Sequence, residues 1–174
     1  MIIALRNFVC IIGLIIILPV LCCITILIII EDGFPPFFTQ ERLGMDKKIF
    51  KIYKIRTMKK NTPQLGTHEV KSHFQLRSGV LARSLKLDEF PQLINVIKGD
   101  INLIGPRPGL VSQTELAKER NIRGIFKVKP GITGLSQVLG YDRSNPYKQA
   151  VISTQYVEKK AFYIESLLLI ITFK

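Results

Sequence analysis

The stretch FVCIIGLIIILPVLCCITILIII, residues 8–30, runs for 23 residues without a charge. As a helix it is long enough to cross the roughly 30 Å hydrocarbon core of a bilayer. It is too long for the core of a secretory leader, and Glu31-Asp32-Gly33-Phe34-Pro35 follows in place of a small-x-small cleavage site. The segment is therefore expected to stay on the chain. Pro19 lies near its middle, where it deletes one backbone hydrogen bond, crowds the preceding turn and kinks the helix. Two topologies remain open. Either a kinked helix spans the bilayer, or the chain turns back at Pro19 and keeps both ends on one face. Spanning helices also contain prolines. Arg6 before the segment and the cations after it favour one cytoplasmic side for both flanks.

Residues 33–174 carry 24 basic against 11 acidic residues. Such an excess seeks anions: phospholipid head groups, nucleotides or nucleic acid. The apolar segment favours the membrane over nucleic acid. Length fits one polar domain, residues 33–174, behind a membrane-embedded segment, residues 1–32. The three cysteines, Cys10, Cys22 and Cys23, all fall in the apolar segment, so neither a disulfide framework nor a Cys/His zinc spacing is present. A reducing compartment fits. His68 and His73 stand alone in a polar stretch and read as surface residues.

Gly33-Phe34-Pro35-Pro36 ends the membrane element. Between residues 42 and 60 eight Lys and Arg face one acid, Asp46, with Ile49, Phe50, Ile52, Tyr53 and Ile55 interleaved. This composition predicts a strand or hairpin arm. Aromatics among cations also suit single-stranded nucleic acid, but beside a membrane segment an anionic lipid surface is the better partner. Residues 61–78 read as a loop long enough to be a mobile active-site element, and 80–84 as a short helical turn carrying Arg83.

In Leu87-Asp88-Glu89-Phe90-Pro91-Gln92-Leu93, two adjacent acids precede Phe90, Leu93, Ile94 and Ile97, spaced as one helix face. Pro91 suits a first turn and Gly99 the position past the last. A helix starting near 88–91 places both carboxylates at the positive end of its dipole, ionised, where phosphate is also attracted. A plain helix cap is the competing role. Carboxylates that meet a phosphate need their charge neutralised, which implies a divalent cation. In Gly105-Pro106-Arg107-Pro108 the prolines fix the backbone on both sides of Arg107, and a pre-set guanidinium suits a phosphate. An internal salt bridge to Asp100 is the alternative. Residues 114–126 and 146–160 read as helices. Residues 129–137 form a turn-rich loop whose amides, Thr133 and Gln137 could read a base or a sugar. That loop is neither a Walker loop nor a GxGxxG. Residues 166–173 are an apolar tail too short to span.

Six pieces in order carry a resemblance: residues 37–44 (FFTQERLG), 50–58 (FKIYKIRTM), 87–93 (LDEFPQL), 95–100 (NVIKGD), 103–108 (LIGPRP) and 129–134 (KPGITG). Together, after an apolar N-terminus, they resemble the bacterial sugar transferases, the small monotopic phosphoglycosyl transferases. The resemblance implies an α+β fold. A re-entrant membrane helix-break-helix precedes a small, mostly helical cytoplasmic domain with a short β-hairpin and interfacial helices. It implies transfer of a sugar 1-phosphate from a UDP-sugar to a polyprenol phosphate, undecaprenyl phosphate in bacteria, with release of UMP, at the cytoplasmic face of the inner membrane. The product would start a lipid-linked glycan such as a lipopolysaccharide or exopolysaccharide. By position Asp88 is the nucleophile, forming a covalent phospho-sugar, and a ligand of Mg²⁺, with Glu89 its acidic partner. Arg107 would hold donor phosphate, with Arg83 and Arg56 beside it, and Pro108, Thr133 and Gln137 would help place the nucleotide. The bilayer is a partner, a homodimer is compatible, and no nucleic acid is expected. The chain departs from the family pattern at Leu18, Lys86, Ser153 and Glu165, where small or polar Ser, Ser, Asp and Asp are usual. Without the acid pair, a non-catalytic membrane-attached binding module would explain the same basic surface.

Overall fold

The computed structural model describes residues 2–63, 72–140 and 145–158, with positions 165, 168 and 171. The chain forms two compact units: residues 1–40 with 52–97, and residues 41–51 with 98–174.

In the first unit α1 runs unbroken from Ile2 to Asp32 with Pro19 inside it. The expected helix is there and longer at both ends, whereas an interruption into two helices is not assigned. One proline removes one hydrogen bond, and the flanking apolar turns carry the rest of the ladder. A narrow stripe of α1 is buried: Cys10, Leu21, Ile24 and Ile28, at helical spacing. Leu21, Ile24 and Ile28 join Ile55, Leu76, Ala82 and Leu87 in one core, with Ile17 and Phe90 packed against it. The rest of the helix surface, including Phe8, Ile15, Ile16, Ile26 and Ile30, is exposed and apolar. α1 is the one helix among the described residues long and apolar enough to cross a membrane.

The polar part of this unit grips α1 along its length. Near the start, Arg6 donates from Nη2 to the carbonyl of Val96 (3.1 Å). Gly13 lies against Leu93, whose Cδ1 would be 3.8 Å from a Cβ there. At the end, Gly33 takes the left-handed conformation (φ +66°) and its N–H closes the last turn on Ile29 O at 2.8 Å. Asp32 accepts from Arg56, whose guanidinium also donates to Gly33 O. Glu31 accepts from the N–H groups of Arg77 (2.7 Å) and Ser78 (2.9 Å) and from Ser78 Oγ (2.6 Å). That carboxylate caps α2 (Arg77–Ser84), whose own N-cap residue, Leu76, offers no side-chain bond.

α3 (Gln92–Lys98) buries Gln92, Asn95 and Val96, while Ile94 of the expected apolar face is exposed. Polar Asn95 is inside because its Oδ1 accepts from the backbone N–H of Tyr53 (3.1 Å). A single exposed apolar residue such as Ile94 costs little.

The hairpin of β1 (Phe37–Leu43) and β2 (Ile49–Ile55) confirms the arm expected over 42–60. Its tip belongs to the second unit, where Asp46 and Lys47 adopt positive φ. β1 lies between β2 and β4 (Gly109–Leu110), pairing antiparallel with β4 through Arg42–Leu110 and Leu43–Gly109. β3 (Asn102–Ile104) pairs in parallel with β5 (Gly131–Thr133). The second unit also holds α4 (Thr114–Ile122), α5 (Leu135–Val138) and α6 (Pro146–Glu158). Ile104, Tyr156 and Leu168 form its core, with Leu103, Leu135, Val138 and Val157 against them. The expected helix over 114–126 stops at Ile122, and Gly124 (φ +66°) opens a separate 3₁₀ turn. The loop expected over 129–137 is more regular than its glycines suggested. A Cβ on Gly131 would sit 2.1 Å from the amide nitrogen of Gly105, so the missing side chains are what let β5 close on this turn. Residues 64–71 of the expected active-site loop lie outside the described residues, as does most of the tail at 166–173.

Candidate active site

Asp88 and Glu89 sit on a 3₁₀ turn, Leu87–Glu89, between α2 and α3. Buried Leu87 anchors the turn in the core of the first unit. The turn opens at Lys86, which is held in the left-handed region (φ 56°, ψ 18°). α3 begins only at Gln92, so the carboxylates precede the α-helix instead of lying in its first turn.

Glu89 Oε1 accepts from Lys54 Nζ at 2.8 Å. Arg83, on α2, donates from Nε to Thr57 Oγ1 at 2.8 Å. Thr57 is buried and its carbonyl also accepts from the N–H of Leu76 (3.1 Å). α2 approaches this segment so closely that a Cβ on Gly79 would lie 2.2 Å from Thr57 O. Gly79 therefore sets the height at which Arg83 is carried over Thr57.

The environment of Asp88 differs from the expected dipole-stabilised carboxylate. Burial acts most strongly and raises its pKa; the charges of Lys54 and Arg83 pull it down, and Glu89 pushes it up. Arg83 responds in kind: burial lowers its pKa, while Asp88 and Glu89 oppose the shift. The turn thus holds a half-buried acid between two cations, one of which is already committed to the neighbouring acid. Of the arginines singled out in this unit, Arg83 is the one whose charge acts on the acid pair. Arg56 is buried, and its guanidinium is taken up by Asp32 and Gly33 at the end of α1. Lys54 and Thr57 were missed in the sequence. Lys54 is one of eight cations between 42 and 60, and only the strand register separates it from the others.

The second unit gathers the remaining candidates. The Pro106–Pro108 turn and the 131–137 loop lie side by side: Gly131 N donates to Pro106 O (3.0 Å) and Gly105 N to Thr133 O (2.9 Å). Thr133 and Pro108 are buried. The Gln137 side-chain amide folds back to donate to Ile132 O (3.2 Å) and accepts from Ser136 Oγ (3.0 Å). Arg42 Nη1 donates to Pro108 O (3.2 Å), tying the turn to β1. Arg107 is half-exposed and makes no ion pair among the described residues. Its charge falls instead on Arg120, a buried guanidinium pushed down to about 10, mainly by burial and further by Arg107. Sequence reading had not noticed Arg120, since nothing local separates it from the surface cations of α4.

Metal-binding capacity is modest: no group of three or more His, Cys, Asp or Glu converges among the described residues. That suits Mg²⁺, which takes one or two carboxylates and completes its shell with phosphate oxygens and water. Among the described residues Lys54 pairs with Glu89 and no salt bridge to Asp88 is seen, so of the two acids Asp88 is the one that could hold such an ion.

A family model described as bacterial sugar transferase matches residues 3–174. The chain is 36% identical over 159 residues to an uncharacterized sugar transferase, EpsL, of Bacillus subtilis, covering 87% of this chain and 78% of that one. It is 38% identical over 133 residues to the UDP-glucose:undecaprenyl-phosphate glucose-1-phosphate transferase of Escherichia coli, covering 74% of this chain and 28% of that protein. It is 36% identical over 128 residues to the UDP-N-acetylgalactosamine-undecaprenyl-phosphate N-acetylgalactosaminephosphotransferase of Aeromonas hydrophila, covering 71% of this chain and 30% of that one. The chain spans less than a third of the last two relatives.

Proposed function

This chain belongs to the bacterial sugar transferase family, and from that premise we propose that it moves a sugar 1-phosphate from a UDP-sugar to a polyprenol phosphate at a membrane surface, releasing UMP. The observation that carries the reading is Asp88, half-buried and flanked by the charges of Lys54 and Arg83. A carboxylate attacks an anionic diphosphate poorly unless cations screen the approach. Here one carboxylate oxygen of Asp88 attacks the β-phosphorus of the donor. The bond from that phosphorus to the bridging oxygen breaks, and UMP leaves with the electron pair. The resulting acyl phosphate carries the sugar. A phosphate oxygen of the polyprenol phosphate then attacks the same phosphorus, which frees the Asp88 carboxylate and forms the polyprenyl diphospho-sugar. Arg83, whose Nε donates to Thr57 Oγ1, would offset charge on the phosphoryl oxygens. Lys54 keeps Glu89 neutralised beside the nucleophile. Mg²⁺ bound at Asp88 would supply further screening of the diphosphate. Arg107 would grip donor phosphate, with Pro108, Thr133 and Gln137 around the nucleotide.

The contacts at the two ends of α1, though no break at Pro19 is assigned, support a monotopic placement with both ends on one face. A straight helix of 31 residues is about 45 Å long and would put its ends on opposite faces of the bilayer. Yet Arg6 at one end is bonded to Val96, and Glu31 and Asp32 at the other end to Ser78 and Arg56, all within one polar unit. Both ends then share the cytoplasmic face, where UDP-sugars are found. The acceptor is of the undecaprenyl phosphate class named for the relatives, and the product would initiate a lipid-linked surface glycan.

The test is UMP release from a panel of UDP-sugars by purified protein with undecaprenyl phosphate and Mg²⁺. Wild type should release UMP with at least one donor, and labelled sugar should be trapped on Asp88. Turnover at the wild-type rate in Asp88→Asn would refute the nucleophile.

A further inference from the structure

The second unit contains a cation that the reaction described above does not use. Arg120, on α4, is 3% exposed, and its Nε has no hydrogen-bond partner. Leu116, one turn earlier on the same face, is also buried, so Arg120 occupies a position that an apolar residue would ordinarily fill. Its Nη1 lies over Gly109, only 3.4 Å from where a Cβ would be, at the exit of the Pro106–Pro108 turn. That turn is fixed from two sides: Arg42 Nη1 donates to Pro108 O (3.2 Å), and Leu110 N donates to Gln113 Oε1 (3.0 Å). Arg107 projects from the same turn, and no ion pair among the described residues neutralises Arg107 or Arg120. A guanidinium buried with its Nε unpartnered, in the field of a second arginine, costs folding energy unless an anion arrives to use it.

We propose that Arg120 is the second guanidinium of a phosphoryl-binding subsite at the Pro106–Gly109 turn, gripping together with Arg107 the diphosphate of a nucleotide-sugar or the monophosphate of the lipid acceptor. The proposal rests on the reading above that Arg107 faces a phosphate. Phosphate is the anion expected because both substrates of that reaction are phosphate esters. A pair of planar forks also matches its tetrahedral oxygens better than a single carboxylate.

The experiment uses full-length protein in nanodiscs. Thermal midpoints of wild type, Arg120→Met, Arg120→Lys and Arg107→Met are measured alone and with inorganic pyrophosphate, UDP or decyl phosphate, and KM is determined for each substrate. Wild type should be stabilised by pyrophosphate. Arg120→Met should match or exceed the wild-type midpoint without anion, because it removes a buried unpaired charge, and it should lose the anion-induced rise. A purely structural arginine gives the opposite pattern: a lower anion-free midpoint with the rise intact, which overturns the proposal. If Arg120→Met does not fold, Arg120→Lys carries the test, with a reduced pyrophosphate shift and KM raised on the order of tenfold; an unchanged shift and KM overturn it. A KM effect confined to the UDP-sugar, with loss of the UDP shift, assigns the subsite to the donor. An effect confined to the lipid phosphate, with loss of the decyl phosphate shift, assigns it to the acceptor. Loss of the rise in Arg120→Met with retention in Arg107→Met overturns the paired subsite and removes Arg107 from the donor reading, leaving anion binding at Arg120 alone. The reverse pattern leaves Arg107 in place and overturns this proposal, as does a wild type indifferent to every anion.

Discussion

Replacing Gly79 by alanine opposes two effects of known size. In a helix interior alanine is preferred to glycine by about 1 kcal/mol, so local propensity favours the variant. Against that, the new methyl would sit 2.2 Å from Thr57 O and 2.8 Å from Thr57 C and Cα, all backbone atoms that no rotamer change can move. To reach ordinary contact at 3.4 Å, α2 must retreat by about 1.2 Å. A shift of that size stretches the 3.1 Å bond from Leu76 N to Thr57 O and the 2.8 Å bond from Arg83 Nε to Thr57 Oγ1 beyond hydrogen-bonding range. Overpacking costs about 1–3 kcal/mol and the two lost hydrogen bonds about 1 kcal/mol each, so after the gain in propensity the net destabilisation is about 3 kcal/mol. Arg83 moves with the helix, and if it contacts the donor phosphate as proposed, a misplacement near 1 Å should lower turnover by up to about a hundredfold. Thermal unfolding in nanodiscs and UMP release together check both halves. A Gly79→Ala protein as stable and as active as wild type would refute the close approach of α2 to Thr57 and the placement of Arg83 derived from it.

Asp88→Asn should inactivate the enzyme yet stabilise the metal-free fold at neutral pH. The sign follows from the raised pKa: the folded state holds the Asp88 proton more tightly than the unfolded chain. Its stabilising contribution is therefore full below the unfolded value and is lost as pH rises through the folded one. The advantage of asparagine should disappear in acid, and unfolding curves that favour wild type at pH 7 in EDTA would contradict the burial of Asp88. Glu31→Ala removes the acceptor for three donors at the start of α2; a loss of about 1 kcal/mol is expected, with Glu31→Gln intermediate, by denaturant titration. Lys86→Gly should gain up to about 1 kcal/mol by relieving a left-handed lysine; destabilisation would mean that the Lys86 side chain supplies more than the strain takes.

Local signals were readable and long-range ones were not. The uncharged run made α1 plain, and β-branched residues among lysines marked the hairpin. Both depend on near neighbours in sequence. The same rule misjudged α3, because periodicity assumes that apolar faces turn inward. Here Asn95 is inside on a backbone bond to Tyr53, and Ile94 is outside. The acid pair was legible as two carboxylates before a helix, but its electrostatic state was not. Asp88 is governed by burial and by Lys54, 34 positions earlier in the chain. Gly79 looked like a weak spot in a short helix, and only its contact with Thr57 explains why a side chain is missing there. Arg120 shares its composition with a solvated helix surface, and nothing short of the packed second unit distinguishes it.

The clamps on α1 also impose an order of events during synthesis. The apolar helix leaves the ribosome before groups that hold it: the carbonyl of Val96, which accepts from Arg6, is 90 positions later. Asp32 waits 24 positions for Arg56, and Glu31 waits 47 for Ser78. If α1 enters a bilayer, it does so before the Val96 contact can form, and residues translated afterwards then help to decide on which side the Arg6 end finishes. Chains halted near residue 60 should leave the N-terminus open to labelling from either face, and chains completed past residue 97 should confine it to one.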